Sequence, residues 1–205
     1  MIDWPWDGVI FDVDGTLVQS ASLHFDAFNA AARRQGAEME RAWYDLRRGL
    51  DRTGLTAEFS ARETALRGRT LDVDRLARDS LAITIERAGR LVAENPPVAT
   101  FARRLHRRLP LAVGSNAETE VVAAMLGGAG LAGLFDLIVT VSDTGRAKPD
   151  PSIFLLAARR LGIAPARSLV LEDSDEGLEA ASRAGMTAWD VRDPVVLARI
   201  GSIPA

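Results

Sequence analysis

Five short apolar runs, at residues 8–13, 110–114, 137–141, 168–171 and 187–191, set the architecture open to this chain. Each is nearly continuous in apolar residues, which is the pattern of a strand buried on both faces. Between the later runs lie amphipathic stretches at 98–108, 117–126 and 151–161, a fourth running to about residue 184, and a last short one at 194–200. Asp150 reads as an N-cap for the third, with Pro151 at its first helical position. Short buried strands alternating with helices imply a parallel sheet covered on both faces. Residues 17–97 break the alternation. They are rich in Ala, Arg, Glu and Leu at helical spacing, as in 23–34 and in 73–88, where Asp72 is placed to cap. No strand is expected there, and Asn95-Pro96-Pro97 ends the block. The predicted fold is therefore α/β: a Rossmann-like three-layer core with a parallel sheet (residues 1–16 and 98–205) and an inserted all-helical cap (17–97).

Composition removes several function classes. The formal charge of −3 gives no overall positive field for nucleic acid or an anionic membrane. Without cysteine there is no disulfide, no thiolate metal site and no cysteine nucleophile. No stretch of about 18 apolar residues exists to span a bilayer. The N-terminal residues show no signal-peptide pattern, so a cytoplasmic protein, monomeric or weakly dimeric, is expected. Of the 25 basic residues only one is lysine, Lys148. A position that keeps lysine against such an arginine bias is a candidate for a compact point charge that a planar guanidinium cannot replace. Chance accounts for it equally well.

The chemistry gathers where the strands end. Ligands of open parallel sheets bind beyond the carboxyl ends of the strands. This chain places Asp12 and Asp14 after its first strand and Ser115 and Asn116 after its second. Lys148 follows its third, and Glu172 and Asp173 its fourth. Core packing does not ask for carboxylates there, because buried charge is costly without a cation or donors. Several together point to a bound metal ion, and hard oxygen donors suit Mg²⁺.

These segments resemble the four motifs of the haloacid dehalogenase-like superfamily, in order and in register. Asp12-Val13-Asp14-Gly15-Thr16 is similar to DxDGT, and Ser115-Asn116 to the second motif. Lys148-Pro149-Asp150-Pro151 with Phe154 is similar to KPxPxxF. Glu172-Asp173-Ser174 with Gly177 is similar to EDSxxG. The resemblance covers the core; the helical block matches only in length, position and helical character. It implies a Mg²⁺-dependent phosphatase of the phosphoglycolate phosphatase and β-phosphoglucomutase branch, acting on a small phosphorylated metabolite through an aspartyl-phosphate. Asp12 would be the nucleophile, Asp14 the general acid and base, and Lys148 the balancing cation. Asp12, Asp173, the backbone carbonyl of Asp14 and, at its rim, Glu172 would hold the metal. Ser115 and Asn116 would lie at the phosphate, with Thr16 bracing the loop. The second carboxylate, Asp14, separates phosphoryl transfer from dehalogenation.

Each motif has a plainer reading alone. Asp14-Gly15-Thr16 suits a turn, Asn116 a helix cap, and Glu172-Asp173 a solvated helix start. His24 is either a partner of the catalytic loop or a surface histidine. Arg52, within a segment that also holds Arg47 and Arg48, matches loosely the position where sugar-phosphate relatives touch substrate. The arginine-rich run 103–108 reads as a solvated helix face, and Trp4 and Trp6 as packing residues. Gln19 stands where relatives often carry Asp. A phosphomutase, which needs a bisphosphorylated activator, is the alternative. A catalytically silent phospho-ligand binder is the remoter one. Cap motion would need hinges near residues 17–20 and 94–98.

Overall fold

The computed structural model of the protein describes residues 4–47 and 50–203. Its main sheet has five parallel strands: β1 (Gly8–Phe11), β4 (Leu111–Ser115), β5 (Leu137–Thr140), β6 (Ser168–Glu172) and β7 (Thr187–Asp190), in the order β5-β4-β1-β6-β7. The fold is α/β, as the alternation predicts. β1 is central, with Ile10 in register with Ala112 on one side and Val170 on the other. The reversal of strand order between β4 and β6 puts the end of β1 at the switch point of the sheet.

Strand alternation divides the core. Val9 and Phe11, Leu111 and Val113, Leu169 and Leu171 point to one face. There they meet Phe101 of α5 (Pro96–Leu105), Val121 and Met125 of α6 (Thr119–Gly128) and Ile200 of α10 (Pro194–Ser202). Ile10, Ala112 and Val170 point the other way, onto Phe154 and Ala157 of α8 (Ser152–Leu161) and Ala180 of α9 (Asp175–Arg183). A one-turn helix, α7 (Val141–Thr144), follows β5. Trp4 and Trp6 pack edge-on against each other and against Trp189. They are packing residues, as read.

Residues 20–47 and 50–92 form the helical insertion: α1 (Ala21–Arg33), α2 (Arg41–Asp45), α3 (Arg52–Arg67) and α4 (Val73–Leu91). Asp72 caps α4, accepting from the Arg75 N–H. The insertion has its own apolar cluster, with Phe28, Leu55, Phe59, Leu76 and Ile83 buried together. The far end of α4 instead joins the core through Ala88, Leu81 and Ile85.

The expectation of no strand within 17–97 is corrected. β2 (Val18–Gln19) pairs antiparallel with β3 (Ala93–Glu94) where the chain leaves and re-enters the core. Two residues carry no readable periodicity, so only the pairing itself reveals them. Asn95 fastens the junction, donating from its side chain to the Thr16 carbonyl and from its backbone to that of Leu17. Other boundaries shift as well. α5 begins at Pro96 and ends at Leu105, because Arg107 adopts a left-handed φ of 64°. The arginine-rich run is thus divided, with Arg103 paired to Glu94 and His106 bonded to the Leu134 carbonyl. Pro151 precedes α8 and does not open it; Asp150 accepts from the Ser152 N–H.

Within the insertion Glu63 is fully buried, facing Arg67 at 3.0 Å, Arg69 at 3.3 Å and Arg62 at 3.9 Å. Removing the shared acid leaves a void and takes a partner from three cations, of which Arg62 and Arg67 keep Glu40 at 3.0 and 3.9 Å. Glu63→Ala should therefore lose about 2–4 kcal/mol of stability, at or just below the roughly 3–5 kcal/mol for a fully buried ion pair, because the arginines reach solvent. Arg67→Ala, which leaves Glu63 two partners, should lose about 1 kcal/mol or less. Urea unfolding of both variants checks this, and equal losses would show that the three arginines do not share one acid.

Candidate active site

β1 stops where its apolar residues stop. Asp12 and the turn that follows sit at the strand's carboxyl end, and Gly15 takes a φ of 89°. A side chain at Gly15 would be strained by that φ and would overlap the Asp173 carboxylate. The glycine thus lets the loop after β1 lie directly against the loop after β6. Thr16 is buried and donates to Asp173 Oδ1 at 3.2 Å, joining the two loops.

Lys148 reaches this point from the loop between α7 and α8. It is 3% exposed, with Nζ 2.7 Å from Asp12 Oδ1 and 3.4 Å from Glu172 Oε1. Phe154 lies under the ammonium, its ring centre 4.7 Å away, which gives the aromatic of the third motif a physical task. Asn116 holds the main chain here: its Oδ1 accepts from the Lys148 N–H at 2.7 Å and its amide donates to the Lys148 carbonyl at 3.4 Å. The expected helix cap at Asn116 is therefore corrected. α6 starts at Thr119, with Glu118 in the capping position. Ser115 is buried at the end of β4, its Oγ accepting from the Ala117 N–H.

Glu172 is buried at the end of β6. It accepts from Ser174 Oγ at 3.1 Å and lies so close to the start of α9 that a side chain at Gly177 would overlap it. One oxygen from each of Asp12, Glu172 and Asp173 falls within 4.8 Å of the others. Burial and the neighbouring Asp12 charge push Glu172 up to about 8 and Asp173 to about 6. Burial also raises Asp12, against the pull of Lys148. For Lys148 burial works the other way, but the Asp12 and Glu172 charges outweigh it and hold the ammonium above its ordinary value. Three crowded carboxyls with one cation are short of positive charge. That deficit, with an all-oxygen donor set, fits a divalent metal ion.

Asp14 faces differently. Its Oδ1 accepts from Ser20 Oγ and lies 2.7 Å from His24 Nε2. Burial would raise Asp14, but the His24 and Ser20 contacts prevail and lower it. Ser20 and His24 are four residues apart at the start of α1 and so share one helix face. His24 is thus a partner of Asp14 in the loop after β1. Ser20 was missed, although its spacing from His24 was the available signal.

Asp12, Asp14, Lys148, Asn116, Glu172 and Asp173 all line one cavity of about 380 Å³. Arg52 stands apart, in an adjoining recess of about 100 Å³, ion-paired to Glu118. Arg47 pairs with Glu58, and Arg48 lies outside the described residues.

The family model for haloacid dehalogenase-like hydrolases matches residues 6–185. The chain belongs to that family. This haloacid dehalogenase-like hydrolase is 33% identical to fructose-1-phosphate phosphatase YqaB of Escherichia coli, over 90% of this chain and 96% of that protein. It is 30% identical to a phosphorylated carbohydrates phosphatase of Thermotoga maritima, over 88% and 82% of the two chains. The crystal structure of CbbY from Rhodobacter sphaeroides in complex with phosphate superposes with a TM-score of 0.81 at 27% identity, covering 89% of this chain and 84% of that one. A variant of the same protein was solved with xylulose-(1,5)bisphosphate. Like these relatives, the hydrolase is an enzyme of the phosphatase type.

Proposed function

We propose that this hydrolase removes the phosphoryl group from a small sugar monophosphate through a covalent aspartyl-phosphate on Asp12. The observation that carries this reading is the division of labour between two carboxylates two residues apart. Asp12 is clamped on a buried ammonium, while Asp14 turns to a hydroxyl and an imidazole. The names of the relatives support the sugar phosphate.

In the first step Asp12 Oδ attacks phosphorus and the bond to the ester oxygen breaks. Asp14 delivers a proton to that oxygen, so the sugar leaves as a neutral alcohol. The contacts that lower Asp14 keep it ionised in the resting protein, and the arriving phosphate charge favours its uptake of the proton. In the second step ionised Asp14 takes a proton from water, the water oxygen attacks phosphorus, and the bond to Asp12 breaks. Lys148 holds Asp12 in one orientation throughout, and Asn116 and Phe154 hold Lys148. Ser115 and the backbone N–H groups around Asp14 receive the phosphoryl oxygens. A divalent ion, which we take to be Mg²⁺ held by Asp12, Asp173, the Asp14 carbonyl and the neighbouring Glu172, would offset the repulsion between an anionic nucleophile and an anionic phosphate. The helical insertion acts as a cap, with the β2–β3 ribbon as its hinge.

Phosphate release from a sugar monophosphate and from p-nitrophenyl phosphate tests the reading. Chelation with EDTA should cost at least about 100-fold, restored by Mg²⁺, because several kcal/mol of charge stabilisation leave with the ion. Asp14→Asn should slow the sugar phosphate by about 10²–10⁴-fold, the usual weight of general acid–base catalysis. With p-nitrophenyl phosphate, whose leaving group needs no proton, the same variant should release one equivalent of nitrophenol and then stall. Turnover indifferent to EDTA, or undiminished in Asp14→Asn, would sink the proposal. Steady phosphate release without a bisphosphorylated activator separates a phosphatase from a mutase.

A further inference from the structure

The adjoining recess shares His24, Tyr44 and Asn116 with the main cavity. A substrate with its phosphate at Asp12 would therefore have room to extend its other end toward this recess. We infer that Glu118, through its pairing with Arg52, sets the substrate class: a monophosphate ester whose far end is uncharged and hydroxyl-bearing, with a second phosphate refused. This inference rests on the phosphatase reading and deepens it.

Left alone, Arg52 would make a phosphate site, because a guanidinium offers a planar fork that matches phosphate oxygens. Here the fork is taken. Nε lies 2.6 Å from Glu118 Oε1 and Nη2 3.2 Å from Oε2, while Nη1 donates to Ser80 Oγ at 2.9 Å. The guanidinium stacks over Phe28 at 5.0 Å, and its side chain is 8% exposed. Every nitrogen of Arg52 therefore has a partner before substrate arrives. The other described guanidinium of the recess, Arg47, is bound to Glu58 at 2.7 Å and to the Trp43 carbonyl. Asp51 adds a second carboxylate, accepting from the Gly54 N–H.

A second phosphate entering here would meet two neutralised guanidiniums and two carboxylates. It could reach the Nε–Nη2 edge of Arg52 only by displacing Glu118, leaving that carboxylate beside a dianion. A sugar hydroxyl meets no such penalty. Each ionised carboxylate oxygen keeps acceptor capacity for an O–H donor while it holds the guanidinium. Discrimination of this kind works by an unfavourable contact with the wrong ligand as much as by a favourable one with the right ligand. CbbY, crystallised with a bisphosphate, shows that a relative of this fold accepts the ligand that this recess would reject.

The test is calorimetric binding of a matched pair, fructose 1-phosphate and fructose 1,6-bisphosphate, to the full chain carrying Asp12→Asn with Mg²⁺ present. The monophosphate should bind at least about 100-fold more tightly, the scale of one unpaired charge at a polar subsite. Adding Glu118→Gln should shrink that ratio by about 10-fold or more, and Glu118→Asp, which keeps the charge, should retain most of it. Equal binding of the pair would overturn the inference without any change at Glu118, and so would a ratio unmoved by Glu118→Gln. Failure of the unaltered chain to turn over p-nitrophenyl phosphate would count against the phosphatase reading, while the binding ratio still judges Glu118.

Discussion

Asp12→Asn is expected to lower phosphate release by about 10⁵-fold or more while the protein stays folded, since loss of a covalent nucleophile removes the reaction path itself. The two halves of that expectation have different causes. Asn keeps the size of Asp and one of its oxygens, so the end of β1 can hold its shape. Burial already disfavours the Asp12 charge, so a neutral amide there is no burden on the fold, and Lys148 keeps Glu172 as a counterion at 3.4 Å. The melting temperature should be unchanged or slightly raised. Activity fails because an amide oxygen is a poor nucleophile. Activity within about 100-fold of the parent, beyond any contribution of binding and charge stabilisation alone, would show that some other group attacks phosphorus.

Lys148→Arg should be nearly as damaging as Lys148→Met, each losing about 10²–10³-fold, the range for removing one fixed charge-stabilising group. Charge is kept in the first and lost in the second, so the comparison isolates shape. The ammonium sits in a slot with Asp12 at 2.7 Å, Glu172 at 3.4 Å and the Phe154 ring beneath it. Its main chain cannot retreat, because Asn116 holds both the N–H and the carbonyl. A guanidinium is longer and wider than that slot and must push the carboxylates apart. Steady-state kinetics on both variants checks this. Full activity in Lys148→Arg would mean that charge alone matters and that the survival of one lysine among many arginines is accidental.

Much of this was readable from residue order alone, and the reasons are local. Buried parallel strands are continuous apolar runs, so β1, β4 and β6 announce themselves, and their ends name Asp12, Ser115, Glu172 and Asp173. The glycines of two motifs have a visible purpose, since Gly15 and Gly177 leave room for the Asp173 and Glu172 carboxylates. What escaped was pairing between distant positions. The Asn116 clamp on Lys148 spans 32 residues and the Arg52–Glu118 pair spans 66. No local spacing encodes either. The two-residue strands β2 and β3 escaped for a related reason, since Val18 meets Glu94 only once everything between them has folded.

The place of β1 at the centre of the sheet has a consequence for the order in which the molecule is built. It is the first strand to be synthesised, yet its neighbours begin at Leu111 and Ser168. A ribosome must add about a hundred residues before β1 gains one partner and some sixty more before it gains the second. The insertion, with a largely separate apolar cluster, is complete much earlier. Nascent chains should therefore hold a folded helical module beside an unpaired apolar strand, which is a natural substrate for a chaperone until β6 emerges.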